Sequence, residues 1–280
     1  MRCLPHFDIN VAYLDENDGI LQAAVRKQNI DIVQYIVRRV SLQKINEVVE
    51  YNRITSSHLA PMMKNETITR ILLEKQANVH AEDKKGRTLL LYAVKYEQLE
   101  QCRLLLQHGA RIENRPKEAT KLFNALFCHA KKLNINIFQF LIDHGLNPNT
   151  TDVYGKTILH RVAESTRIRN AVKCGELLLK YGANINAITR KGDSALHLAA
   201  DNCSGLPFYE LMFEKDADLN ICNKKNKTFF DVVFERSEIL LEGFIKYLVL
   251  AKARGKMDYN FGTVMLNPIE SRSTFNAKKK

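Results

Sequence analysis

One phrase recurs along this chain at a nearly fixed interval. Thr157-Ile158-Leu159-His160 opens an apolar segment, and Leu177-Leu178-Leu179-Lys180-Tyr181-Gly182-Ala183 closes a second one. Ser194-Ala195-Leu196-His197 restates the opening, and Leu104-Leu105-Leu106-Gln107-His108-Gly109-Ala110 restates the close. Aligned on the Thr place, units start at Asp18, Thr55, Thr88, Thr120, Thr157, Ser194 and Thr228, in steps of 37, 33, 32, 37, 37 and 34 residues. Five places on stand Ala23, Ala60, Ala93, Ala125, Val162, Ala199 and Val233. Self-similarity at such a period predicts units stacked in a row, because one unit is too small to bury its own apolar face.

The residues of a unit dictate its local form. Gly86, Gly155 and Gly192 stand two places before the Thr or Ser, where a tight turn needs a left-handed residue. The Thr or Ser then caps a first helix with its hydroxyl. Small apolar residues at helical spacing let that helix approach its neighbours closely. A second helix carries Leu104-Leu105-Leu106, Phe140-Leu141-Ile142 or Leu177-Leu178-Leu179, and Gly109, Gly145 and Gly182 end it in a left-handed cap.

This pattern resembles the ankyrin repeat, a unit of ~33 residues built as a β-turn and two helices. The resemblance runs from about residue 14 to 236 and is strongest in units three, five and six. It implies an all-α fold: a solenoid of about seven helix-turn-helix units with short β-turn fingers. Residues 1–255 are expected to form the array, with degenerate N-terminal units and a capping helix over Ile239–Leu250. Residues 256–280 read as a polar, flexible tail ending in Lys278-Lys279-Lys280.

Several units depart from the pattern. Unit one has Arg38-Arg39 in place of the closing Gly-Ala, and extra residues precede unit two. Unit two carries Ser57 where Leu is usual, which predicts a loosened N-terminal end. In unit four, Arg115-Pro116-Lys117-Glu118-Ala119 reads as the turn, with Glu118 in the glycine place and Phe123 in the His place. Units four and five are enlarged around Cys128–Asn136 and Ser165–Lys173. Two enlarged loops on one edge would suit a binding patch; equally, loops accept insertions cheaply.

Chemistry-bearing residues are few. His58, His160 and His197 recur with the repeat and resemble the structural histidine of ankyrin units, which bonds between neighbouring turns. His108 and His144 precede a closing Gly, where a helix C-terminus favours partial positive charge. Glu97 and Glu100 are expected on a solvent face. The chain carries no phosphate-binding glycine loop and no His-Glu-x-x-His, so no enzyme, cofactor or metal site is expected. Cys3, Cys102, Cys128, Cys174, Cys203 and Cys222 are scattered, which fits reduced thiols of a cytoplasmic or nuclear protein. No apolar run approaches the ~18 residues of a membrane span, and the segment Met1–Asp8 lacks a signal-peptide core.

Function is therefore expected on the surface. Ankyrin arrays bind partners through turn tips and the exposed side of each first helix. Carried onto this sequence, those places are Lys84, Lys85 and Arg87 with Lys95 and Tyr96, then Tyr154 and Lys156, then Arg190 and Lys191, then Lys224, Lys225 and Lys227. The net charge of +11 and this basic ridge favour an acidic protein partner of a monomeric scaffold or adaptor. The plainer reading is that lysine only keeps turn tips soluble. An inhibitor of a transcription factor resembling the IκB class is one alternative, although it would have to mask a basic segment with a basic ridge. A binder of nucleic acid or an anionic surface is another, without a groove-reading motif to support it. A ubiquitin-ligase receptor would need a further motif, and only Ile239–Leu250 leaves room for one. Asn220, with Asp218 before it and Leu211 upstream, resembles the asparagine that a hydroxylase modifies in ankyrin proteins.

Overall fold

A computed structural model describes residues 13–15, 18–48, 52–128, 133–165, 170–201 and 206–236. Cys3, Cys203, the capping helix expected over Ile239–Leu250 and the tail lie outside these residues, as do residues 129–132 and 166–169 of the two enlarged loops. The chain divides into two contact units, residues 1–128 with 136–146, and residues 129–135 with 147–280.

The first contact unit opens with two short antiparallel strands, β1 (Tyr13–Asp15) and β2 (Asp18–Gly19). Helix pairs follow: α1 (Ile20–Arg26) with α2 (Ile30–Val37), α4 (Ser56–Met62) with α5 (Glu66–Glu74), and α6 (Leu89–Lys95) with α7 (Leu99–Gln107). Then come α8 (Pro116–Leu126) and α9 (Ile135–Asp143). The extra residues between units one and two form a further turn of helix, α3 (Leu42–Ile45), capped by the Ser41 side chain. First helices stack in one row, α1 on α4 on α6 on α8, and second helices in another, α2 on α5 on α7. Leu21, Val25, Val33, Ile36, Leu59, Ile68 and Leu72 fill the space between the rows. Full burial of each such side chain contributes about 1.5–3 kcal/mol.

The second contact unit repeats the scheme. Helices α10 (Ile158–Glu164), α12 (Ala195–Asp201) and α14 (Phe229–Arg236) form the first row, and α11 (Ala171–Lys180) packs on α13 (Leu206–Glu214) in the second. Gly175 of α11 lets the chain approach closely, because a Cβ there would meet the Leu211 side chain at 3.1 Å.

The helix starts follow the aligned Thr place in units two, three, five, six and seven. Unit four departs from the expected form. Arg115–Ala119 is not a turn: α8 begins at Pro116, and Thr120 lies inside the helix, its hydroxyl donating to Pro116 O at 2.7 Å. The cause is local. Proline is preorganised for the first helical position, and Glu118 in the first turn meets the positive end of the helix dipole. A helix here needs no left-handed residue, which is why glutamate stands in the glycine place. Unit one also starts a residue late, with Gly19 as the cap.

Left-handed places fall where the glycines predict them, and four non-glycine residues share the role. Arg53 (φ 53°) and Asn226 (φ 55°) take the turn position that Gly155 holds at φ 74°. Gln76 and Asp216 take the closing position held by Gly182 at φ 80°. Ser57, in the Leu place, is nevertheless buried.

The two kinds of glycine differ in what surrounds them. A Cβ at Gly155 would sit 2.9 Å from the Arg190 backbone nitrogen, whereas one at Gly182 would meet nothing within 4 Å. Gly182→Ala should therefore cost only the left-handed penalty, about 1–2 kcal/mol. Gly155→Ala should cost more, since two turns must also separate. Urea unfolding midpoints of the two variants should rank in that order, and equal midpoints would contradict this account.

Candidate partner-binding turns

Four fingers are tight turns, each clamped by one polar side chain five places before the capping Thr or Ser. Asp83 Oδ1 accepts from the Lys85 and Arg87 backbone N–H groups, both at 2.8 Å. Asp152 does the same for Tyr154 and Lys156, Thr189 for Lys191 and Asp193, and Asn223 for Lys225 and Lys227. Backbone bonds close the turn beneath, as from Gly155 N to Asp152 O at 3.0 Å. Adjacent fingers are then joined through the main chain. Lys84 N donates to Asn52 O at 2.9 Å, Arg190 N to Tyr154 O at 3.1 Å, and Lys224 N to Lys191 O at 2.9 Å. The clamp residue escapes sequence reading centred on the Thr and Gly, because Asp, Thr and Asn all serve; what they share is a short side chain with an acceptor oxygen.

The recurring histidines lie under these turns. The Thr157 backbone N–H donates to His160 Nδ1 at 3.1 Å, so Nε2 carries the ring proton and donates to Asp193 O at 3.1 Å. His58 reaches Arg87 O at 3.2 Å and His197 reaches Lys227 O at 2.9 Å in the same way. This is a capping box with histidine in the usual Glu or Gln place, extended into the next finger. All three rings are buried, and burial holds the pKa of His58 and His160 below the ordinary histidine value. Asp231 fills the same place in unit seven, accepting from Thr228 N at 2.7 Å. His108 and His144 cap their helices, each Nδ1 donating to the carbonyl four residues back.

The ridge cations separate into two kinds. Lys84, Lys85, Arg190, Lys191, Lys224 and Lys225 are exposed at the tips, and Tyr154 beside them is 64% exposed. Arg87, Lys156 and Lys227, one place before the Thr, are instead tied to carboxylates of their own units. Lys156 pairs with Glu164, and Lys227 with Glu235 at 2.6 Å. Arg87 pairs with Asp83 at 2.6 Å, and Tyr92 Oη donates to the same carboxylate at 2.8 Å. Burial acts to raise the Asp83 pKa, but the Arg87 N–H groups and Tyr92 together hold it below the carboxylate norm. Burial, then the bond to Asp83, pushes the Tyr92 phenol well up. Lys95 Nζ lies 5.2 Å from the centre of the Tyr96 ring, and both residues are half-buried.

Two grooves open beside the tips. In the first contact unit, Lys85, Arg87, Lys95 and Lys121 surround Leu91 and Tyr92. In the second, Arg190, Lys191, Lys224 and Lys225 share the walls with Asp193, Asp201 and Glu235. Glu97 and Glu100 are exposed, as expected. Burial raises the Cys102 and Cys174 thiols to about 12, and Cys128 and Cys222 are exposed; all four are free. Among the described residues no group of His, Cys, Asp and Glu is arranged to hold a metal ion, and no helix is long and apolar enough to cross a membrane.

Asparagines form a second ladder where the second helices end. Asn46 Oδ1 accepts from Asn78 N at 2.7 Å in the first contact unit. In the second, Asn149 Oδ1 accepts from Asn184 N at 2.6 Å and Asn186 Oδ1 from Asp218 N at 2.9 Å. Asn220 ends this series. It is exposed, and its backbone N–H donates to Asp218 Oδ1 at 2.9 Å.

Comparison with known proteins agrees with this geometry. The family model for ankyrin repeats (3 copies) matches residues 20–116 and 126–223. An ankyrin repeat protein of Acanthamoeba polyphaga mimivirus is 30% identical over 109 residues, which is 39% of this chain and 14% of that one. The ankyrin repeat protein OPG189 of Monkeypox virus is 25% identical over 265 residues, 91% of this chain and 44% of that one. This chain thus spans less than half the length of these curated relatives. The crystal structure of the ankyrin repeat domain of Bcl-3, described as a member of the IkappaB protein family, superposes with a TM-score of 0.64. The match is 24% identical and covers 78% of this chain and 95% of that one, a likeness of fold.

The histidines make stability depend on pH. A folded-state pKa below the unfolded value means that the unfolded chain takes up the proton first as pH falls. The stability from His58 and His160 is therefore full above about pH 6.5 and lost as pH drops through the folded values. Melting temperature should fall between pH 7 and pH 5. A His58→Leu/His160→Leu variant should melt lower at pH 7 and respond less to acid over that window. An equal acid response in the two proteins would exclude the histidines as its source.

Proposed function

Because the chain belongs to the ankyrin-repeat family, we propose that it is a non-enzymatic interaction scaffold or adaptor. It holds a partner protein against its turn tips and first helices. The observation that carries this reading is the set of six exposed tip cations on fingers clamped by Asp83, Thr189 and Asn223. Rigid loops lose little freedom on binding, and a ridge of one sign raises the rate of encounter with an acidic surface. Tyr154 adds an exposed aromatic anchor of the kind enriched at interfaces.

An IκB-like role draws some support from the fold shared with Bcl-3. The tip cations weigh against it, since masking a basic targeting segment would set like charges face to face at a cost of several kcal/mol. Binding of nucleic acid through the same ridge would collapse steeply with salt. Asn220, exposed at the end of the asparagine series, is our candidate for hydroxylation.

The test is affinity purification with mass spectrometry of the wild-type chain and of a variant with Lys84, Lys85, Arg190, Lys191, Lys224 and Lys225 changed to Glu. Specific partners should be lost from the variant while its helical content stays unchanged. An unchanged set of partners would defeat the basic-ridge reading. Intact peptides covering Asn220, from chain co-expressed with an asparaginyl hydroxylase, should gain about 16 Da, the mass of one oxygen; an unshifted mass would remove Asn220 as a candidate.

A further inference from the structure

The row of fingers in the first contact unit ends in a gap. In three places a tip N–H of one finger bonds a carbonyl of the finger before it, at Asn52, Tyr154 and Lys191. All three acceptors stand three places before the capping Thr or Ser, and their counterpart in unit three is Lys85. Unit four has no finger to offer, because α8 has already begun at Pro116. No backbone N–H bonds the Lys85 carbonyl among the described residues. Lys121 of α8 reaches into the gap instead, its Nζ donating to Gly86 O at 2.7 Å. The histidine place of unit three is altered in step: Leu91 stands there, with no finger carbonyl beyond it to reach.

The gap opens onto a groove of one sign. Lys85, Lys95 and Lys121 line it with Arg87. The carboxylate beside Arg87, Asp83, is buried and already accepts from Arg87 and Tyr92. Glu82, Glu113 and Glu118 line the neighbouring cleft on the Gly86 side, which Lys121 also borders. Leu91, Tyr92 and Ala125 give the groove an apolar floor. Lys121 is half-buried with a carbonyl as its bonding partner, so its ammonium retains N–H groups to give. The groove in the second contact unit differs, because Asp193, Asp201 and Glu235 stand among its cations.

We propose that the groove between α6 and α8 takes an acidic segment of the partner protein, with one aromatic or aliphatic side chain among its carboxylates. The carboxylates meet Lys85, Lys95 and Lys121, and the apolar side chain lies on Leu91 and Tyr92. A backbone N–H of the segment bonds the Lys85 carbonyl, in place of the missing finger. This rests on the protein-binding reading above and adds the site and the partner's chemistry. An apolar floor between cations suits a peptide better than a phosphate chain, which would leave Leu91 uncovered.

The probe is a fluorescein-labelled decapeptide of glutamates around a central phenylalanine, titrated into the full chain and read by anisotropy. It should bind, weaken as salt rises, and weaken again when its phenylalanine is replaced by glycine. Lys85→Glu/Lys95→Glu should reduce affinity by about tenfold or more, the scale of one lost charge-assisted contact. Lys121→Met, which keeps the aliphatic stem, should act in the same direction; thermal melts identify any variant that fails to fold, and the other variant then decides. Arg190→Glu/Lys191→Glu/Lys224→Glu/Lys225→Glu should leave the peptide affinity within about threefold, since those groups line the other groove. The proposal is overturned if the wild type does not bind the peptide, or if the second-groove variant loses as much as the first. It is also overturned if an oligonucleotide of equal charge binds as tightly. None of these results touches the loss of partners from the sixfold variant, so failure of this site and failure of the scaffold reading are told apart.

Discussion

The stack depends on one bond made over and over: an imidazole that caps its own helix and holds the next finger. Its Nδ1 accepts the backbone N–H of the capping residue, which forces the proton onto Nε2, and Nε2 then bonds a carbonyl of the following unit. A carboxylate could cap the helix but could not donate to that carbonyl. Asp231 takes the capping part alone in unit seven, accepting from Thr228 N. Neutral histidine does both, and burial keeps it neutral. Acid sensitivity is the consequence of building the stack on this side chain.

The fingers inherit their order from this bond. A clamp oxygen from Asp83, Asp152, Thr189 or Asn223 fixes each turn, and main-chain bonds join neighbouring tips. Side chains at the tips are then exposed, and cations crowd there. Cations one place before the capping Thr are each matched by a carboxylate within their own unit. The net charge presented to a partner is thus smaller than the count of lysines and arginines along the turns suggests, and it is concentrated at the tips.

Unit four shows how a local preference can reshape a repeat. Pro116 at the first helical position and Glu118 in the first turn start the helix early and remove the finger. Leu91 and Lys121 answer that change on either side, one by giving up the histidine, the other by filling part of the gap. A departure that looks like decay in a single unit is matched by its neighbour.

The repeat, the helix starts of units two, three, five, six and seven, the left-handed glycines and the structural role of the histidines are legible in the sequence, because each rests on residues close together and recurs at the same offset. Other features depend on what a side chain meets across space. That Arg87, Lys156 and Lys227 are neutralised follows from carboxylates four to eight residues away on the folded unit. That Pro116–Ala119 is helix rather than turn follows from the start of α8 outweighing the repeat's own register. The family and its architecture were therefore written in the spacing of the Thr, His and Gly residues alone. Which cations remain at the surface, and that the groove beside Leu91 is lined by one sign of charge, was decided only when folding brought lysines from α6 and α8 together and set their carboxylates elsewhere.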